Sequence, residues 1–215
     1  MQIQEPKAGS ASLEILAVRC ELNAIGGVHT GFLYYRQEIP FFCHLAWELD
    51  LRNEQTALDS CCWINVNLEP QILEFISAHL QENMDQNKAS VAYDVRYSSS
   101  GEYFDRQTWT YTAVEPGLTC ATFVMAIFRG FAIEVLSLDR WPTREEDIEQ
   151  LEKLIRWLEK SGVSAERIHA QRMSNVGLRY RPEEVAGAVS EAVWPVPFKV
   201  AEPLGRGVRQ HLLER

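Results

Sequence analysis

Residues 117–130 have the sequence GLTCATFVMAIFRG, which predicts a short apolar helix with a cysteine in its first turn. Thr119 is a good N-cap residue, and no helix breaker follows until Gly130. Backbone N–H groups in a first turn are unpaired and carry partial positive charge, which stabilises a thiolate. Cys120 is therefore either a candidate nucleophile or a small buried core residue.

A histidine on a predicted strand is the candidate partner of this cysteine. Over residues 41–51 the side chains alternate between two faces, and His44 projects from the less apolar one. His44 can act as a base there, or it can be a core histidine satisfied by one hydrogen bond. His29 begins the strand predicted over residues 28–36 and follows a Gly-Gly pair, so we expect it to be a solvated turn residue.

The remaining patterns predict an α+β domain. Alternating apolar residues predict strands over residues 12–21, 60–67, 91–97, 107–114 and 131–138, with a polar turn at 52–55. Amphipathic spacing and capping residues predict helices over residues 69–84, 143–161, 164–172 and 182–193. The prolines and glycines after Trp194 predict an irregular tail. We expect an antiparallel sheet packed against the helix that bears Cys120, with extra C-terminal helices.

Composition narrows the classes of function. The 215-residue chain has a formal net charge of −9, and its basic residues are scattered, which argues against a nucleic-acid partner. No apolar run approaches the roughly 20 residues of a membrane span. Five cysteines without a C-x-x-C pair predict neither a disulfide framework nor a zinc site, and they suit a reducing cytoplasm. We expect no metal ion or cofactor.

Two motifs resemble papain-like cysteine hydrolases of the NlpC type. The sequence TCATFV at residues 119–124 is similar to the D-C-S-G-F-V nucleophile motif of that family, and HLAW at 44–47 resembles its H-x-G/A-x-Y setting. The histidine precedes the cysteine here, as in the circularly permuted branch that includes lecithin retinol acyltransferase-like proteins. Tyr93 resembles an active-site tyrosine of that branch. The resemblance covers about residues 28–138, and Thr119 and Thr122 depart from its motif.

The sequence pattern and the resemblance together predict a division of the chain. We expect a leader at residues 1–11, a permuted papain-like core at 12–140, a helical extension at 141–193 and an irregular tail at 194–215. The resemblance also implies a set of roles. Cys120 and His44 would form the catalytic pair, and Tyr93 and Thr119 would contact substrate. A third polar residue would orient the histidine. Asn65 is the first candidate for this role, Asp59 the second and Glu48 the third.

Two functions follow as hypotheses. The first is a cysteine-dependent hydrolase of amide, isopeptide or ester bonds, or an acyltransferase that uses the same acyl-enzyme, with a peptide-like or acyl substrate. The second is an inactive papain-like scaffold that binds a protein partner or has a regulatory role. Burial of Cys120 and an apolar surface around Trp109, Trp141 and Trp194 would favour the second hypothesis.

Overall fold

The computed structural model describes residues 1–4, 16–23, 27–58, 61–98, 100–112 and 116–215. In these ranges the chain forms a five-stranded antiparallel sheet and six α-helices, so the predicted α+β class is confirmed. The strands are β1 (Leu16–Leu22), β2 (Val28–Arg36), β3 (Ile39–Trp47), β4 (Asp50–Gln55) and β5 (Cys62–Asn65). Their order across the sheet is β4-β3-β2-β1-β5.

Tight turns join β2 to β3 and β3 to β4. Gln37 and Glu38 both have positive φ, as expected of a two-residue hairpin turn that follows the twist of its strands. The next turn falls at residues 48–49, so the predicted polar turn at 52–55 is wrong, and those residues belong to β4. No glycine, asparagine or proline marks the turn at 48–49. β4 is polar because it is an edge strand with solvent-facing side chains.

The predicted helix at Cys120 is confirmed as α2 (Cys120–Gly130), and it packs on the sheet. Thr119 is its N-cap: the Thr119 side chain accepts from the Thr122 backbone N–H at 3.2 Å, and Thr122 Oγ1 accepts from the Thr119 N–H at 2.7 Å. The ring of Phe32 on β2 lies 6.3 Å from that of Phe123 and 5.2 Å from that of Phe128. These contacts fix the start of the helix against β2.

Three predicted strands are absent from the described part of the chain. Residues 91–97, 107–112 and 131–138 form only isolated bridges, while residues 113–115 lie outside the described ranges. Backbone N–H groups in two of these segments are satisfied by distant side chains rather than by a neighbouring strand. Tyr93 N–H donates to Glu48, Val95 N–H to Gln171 and Tyr111 N–H to Asn87. Alternation alone cannot reveal such long-range partners.

The C-terminal third is helical almost to its end. The remaining helices are α1 (Pro70–Asn83), α3 (Glu145–Lys160), α4 (Ala165–Met173), α5 (Pro182–Ala188) and α6 (Phe198–Leu213). The prediction of an irregular tail at residues 194–215 is wrong, because α6 occupies most of it. Ala201, Gly205, Val208 and Leu212 form a buried stripe, and this contact with the core outweighs the cost of Pro203 inside the helix. Most of the predicted leader, residues 5–11, lies outside the described ranges.

Two glycines of α6 give a matched test of this packing. A Cβ at Gly205 would lie 2.9 Å from the backbone N of Glu184 in α5, whereas a Cβ at Gly207 would meet only the Met1 side-chain end, at 3.4 Å. Gly205→Ala should lower the free energy of unfolding by about 1–2 kcal/mol, because overpacking outweighs the gain in helix propensity. Gly207→Ala should raise it by up to about 1 kcal/mol. Denaturant unfolding measures both changes, and equal shifts would contradict the close contact between α5 and α6.

Candidate active site

A pocket of about 470 Å³ lies between the sheet and the C-terminal helices. One wall comes from β2, β3 and the start of α2, and the other comes from α3 and residues 179, 180 and 182. Four residues singled out from the sequence line this pocket together: Cys120, His44, Tyr93 and Thr119. Thr119 caps α2 and so holds Cys120 at the pocket wall.

Cys120 is the first residue of α2, and it is 5% exposed. The side chain of His29 and the backbone N–H of Thr30 both interact with the Cys120 thiol and lower its pKa. Both partners lie side by side on β2, so the packing of α2 against this strand brings the thiol to an imidazole. The prediction that His29 is a solvated turn residue is therefore wrong, because its ring is half-buried in the pocket.

His29 also contacts His44, and Gly31 makes this contact possible. The pairing of β2 with β3 extends from Arg36–Ile39 to Phe32–Cys43, just short of the two histidines. A Cβ at position 31 would lie 2.5 Å from His44 Cβ and 2.5 Å from the carbonyl oxygen of Cys43. Only glycine allows β3 to come this close to β2. The imidazoles then meet, with His29 Nε2 lying 2.6 Å from His44 Nδ1.

The pKa values of the three side chains indicate an ion pair beside a neutral imidazole. Burial raises the pKa of the Cys120 thiol, but His29 and the Thr30 N–H outweigh it, and the net pKa lies below its usual range. Burial opposes a charge on His29, yet the adjacent Cys120 thiolate raises the pKa of that imidazole overall. Burial, reinforced by the charge of His29, lowers the pKa of His44 to about 2. The pKa shifts of the first two side chains both favour an ion pair of a Cys120 thiolate with a His29 imidazolium.

His44 is held in place by an aromatic neighbour. Its ring stacks on Phe42 with centroids 4.0 Å apart and an interplanar angle of 16°. Because His44 stays neutral, its Nδ1 can accept a hydrogen bond from the Nε2–H of protonated His29. His44 therefore orients His29, and its hydrogen-bond partner is this imidazole.

Tyr93 lies against the start of α2. Its hydroxyl has hydrogen-bonding contacts with both the backbone N–H and the thiol of Cys120. Burial, together with the charge of the thiolate, raises the pKa of Tyr93 well above its usual value, so the phenol stays protonated. The Tyr93 O–H and the Cys120 N–H, at the N-terminus of α2, are therefore neighbouring donor groups at the pocket wall.

Of the three candidates for the orienting residue, Asn65 and Glu48 do not fill that role. Asn65 ends β5, and strands β1 and β2 separate it from β3, a distance of about 14 Å at about 4.8 Å per strand. The prediction of Asn65 beside His44 is therefore wrong. Glu48 is engaged elsewhere: it pairs with Arg167 at 2.6 Å and accepts from the Tyr93 backbone N–H at 2.7 Å. Asp59 lies outside the described residues.

His29 is not among the residues that the sequence patterns assign to the site, although the register of the β2–β3 hairpin indicates its position. A two-residue turn at 37–38 pairs Arg36 with Ile39 and therefore sets Gly31 opposite His44. Side chains two residues apart share a face, so His29 is the diagonal neighbour of His44 across the hairpin. The glycine pair before β2 led instead to the expectation of a solvated turn.

Comparison with known proteins gives no relative: no protein-family model matches the chain, and neither a curated protein nor a solved structure is significantly similar. In the described ranges, no group of three or more histidine, cysteine, aspartate or glutamate side chains is arranged to hold a metal ion. None of the described helices is long and apolar enough to cross a membrane. The residues that line the pocket are therefore the basis for a functional assignment.

Proposed function

We propose that the chain is a cysteine-dependent hydrolase of amide, isopeptide or ester bonds that works through an acyl-enzyme. The observation that carries this proposal is the sequence of contacts from Cys120 to His29 to His44 on one pocket wall. A helix N-terminus, an imidazole and a second, orienting imidazole are the parts that an activated thiol needs.

In the proposed mechanism His29 is the base and His44 is a positioning residue. Nε2 of His29 is engaged in the hydrogen bond with His44. Nδ1 of His29 is therefore the nitrogen that can accept the thiol proton. Proton transfer gives a thiolate and an imidazolium, and the imidazolium donates Nε2–H to His44. This assignment revises the sequence-based role of His44, which becomes the partner of the base.

The chemistry then proceeds by two acyl transfers. The Cys120 thiolate forms a bond to the substrate carbonyl carbon, the carbonyl electrons move to oxygen, and the tetrahedral intermediate collapses as the leaving amine or alcohol takes a proton from His29. Water, losing a proton to His29, attacks the thioester and releases the acid and the thiol. The Cys120 N–H and the Tyr93 hydroxyl would donate to the oxyanion, since the two groups interact with each other at the pocket wall beside the nucleophile.

This proposal favours the permuted papain-like family. The supporting feature is the chain order, in which the cysteine at the start of α2 follows the histidines on β2 and β3. An acyltransferase of that branch would share the thioester and differ only in its acceptor.

The alternative of an inactive binding module has less support. Cys120 is buried, but its side chain belongs to the pocket wall and contacts a base. Of the three tryptophans whose exposure would favour a module, Trp141 is buried, and Trp109 and Trp194 are partly buried against the core.

Trapping the acyl-enzyme tests the proposal. Brief incubation with p-nitrophenyl acetate at pH 7 should release a burst of p-nitrophenol and add one acetyl group to the intact protein. Peptide mapping should place the acetyl group on Cys120, since the other described cysteines lie on or beside β-strands and are buried. Acetylation spread over lysines, with no burst, would reject the nucleophile.

A further inference from the structure

Arg179 is a charged group in the pocket wall that the proposed reaction leaves without a role. Its side chain is 21% exposed, and it lines the pocket opposite the sheet. Its backbone is fixed, because its carbonyl oxygen accepts from Trp141 Nε1 at 3.1 Å and from Arg144 Nη2 at 2.8 Å. The guanidinium is therefore carried by a rigid segment.

The ionic contact of Arg179 is weak. Its Nη1 lies 3.4 Å from Asp147 Oδ1, and that carboxylate accepts shorter bonds, 2.6 Å from Arg144 and 3.0 Å from Arg181. Asp147 is fully buried, and its carboxylate cannot reorient toward Arg179 without losing its hydrogen bonds to Arg144 and Arg181.

The other charged groups of the lining have closer partners. Glu21 pairs with Arg19 at 2.6 Å, Asp50 with Arg52 at 2.7 Å, and Lys153 with Glu149 at 2.9 Å. Among the described residues that line the pocket, Arg179 is thus the charged side chain with the longest distance to its ion-pair partner. Arg179 and Cys120 line the same pocket, and the charge of Arg179 helps to lower the pKa of the Cys120 thiol.

The geometry points to Arg179 as a subsite for a carboxylate in the acyl part of the substrate, a few bonds from the carbonyl that Cys120 attacks. A guanidinium offers paired N–H donors that match a carboxylate, and a partly buried site strengthens the interaction. The inference rests on the proposed hydrolase function, and it narrows the substrate to acidic acyl groups.

Matched esters separate this subsite from the chemistry. The p-nitrophenyl half-esters of succinate, glutarate and adipate are compared with the butanoate, pentanoate and hexanoate esters, which have the same acyl length and no charge. The best acidic ester should exceed its neutral partner by about 10- to 100-fold in kcat/KM, the value of a hydrogen bond to a charged group. Arg179→Gln should remove this preference, and Arg179→Lys should restore part of it.

A neighbouring arginine supplies the control. Arg181 binds the same Asp147 but does not line the pocket, so Arg181→Gln should keep the preference. Equal rates for acidic and neutral esters, or a preference that survives Arg179→Gln, would overturn the subsite while leaving the hydrolase proposal intact.

A binding measurement covers the opposite case, in which the protein cleaves none of the esters and the hydrolase proposal fails. Titration of intrinsic tryptophan fluorescence follows the binding of glutarate and of neutral glutaramide at constant ionic strength, since Trp47 and Trp157 line the pocket. Binding of glutarate alone, lost in Arg179→Gln and kept in Arg181→Gln, would support the subsite. Equal response to the two compounds would overturn it.

Discussion

Replacing Cys120 by serine should lower the hydrolysis of p-nitrophenyl acetate by at least about 10,000-fold, as expected when a nucleophile is removed from a coupled catalytic unit. Serine is nearly isosteric and keeps the first turn of α2, but its hydroxyl is far harder to ionise beside His29. Initial rates over a range of protein concentration measure the loss. The melting temperature should hardly change.

A second buried cysteine provides the control for this substitution. Cys43 is buried on β3, next to His44 in sequence but on the opposite face of the strand, and burial raises the pKa of its thiol. Cys43→Ala removes a buried thiol without touching the pocket, so turnover should persist. If Cys120→Ser retains the rate of the wild-type protein, the hydrolysis is not performed by this thiol.

Replacing His29 by alanine should have the next largest effect, a loss of about 100- to 10,000-fold in kcat. Without the imidazole, burial dominates, and the pKa of Cys120 should rise above the value of about 8.5 for a free thiol. Alkylation by iodoacetamide, fast below pH 7 in the wild-type protein, should then be confined to alkaline pH. The rate of Cys120 modification as a function of pH measures the shift directly.

His44 substitutions distinguish the base from its partner. His44→Ala removes an acceptor from a charged donor and should cost about 10- to 100-fold in kcat. His44→Gln retains a carbonyl acceptor and should recover part of this loss. The acid limb of the pH profile should persist in both variants, because His44 does not titrate near neutrality. A larger loss in His44→Ala than in His29→Ala would make His44 the base.

Local sequence signals predicted the elements around the nucleophile. The Thr119 cap, the apolar run to Gly130 and the alternation over residues 28–36 correspond to α2 and β2. Each of these signals depends on residues close together in the chain. Cys120 and His44 could be named from such local signals, and Tyr93 and Thr119 from the resemblance; the structure places all four in one pocket.

The remaining features depend on distant partners that a single sequence does not display. The Glu48 carboxylate satisfies the Tyr93 N–H, which keeps Tyr93 out of a regular strand. The length of α6 depends on a glycine that fits against Glu184. The placement of Asn65 failed because strand order, with β5 beyond β1, is a long-range property.

The two walls of the pocket come from different parts of the chain. The sheet, α2 and Tyr93 provide the proposed nucleophile, its base and the oxyanion donors, whereas α3 and residues 179, 180 and 182 provide the surface that faces them. Trp47 Nε1 joins the two parts by donating to Ser161 Oγ at 2.9 Å, just beyond the end of α3. In the proposed hydrolase, selectivity could therefore change through substitutions in the C-terminal third while the residues of the reaction stay the same. Replacing residues within 143–182 would be a practical way to redirect the proposed activity.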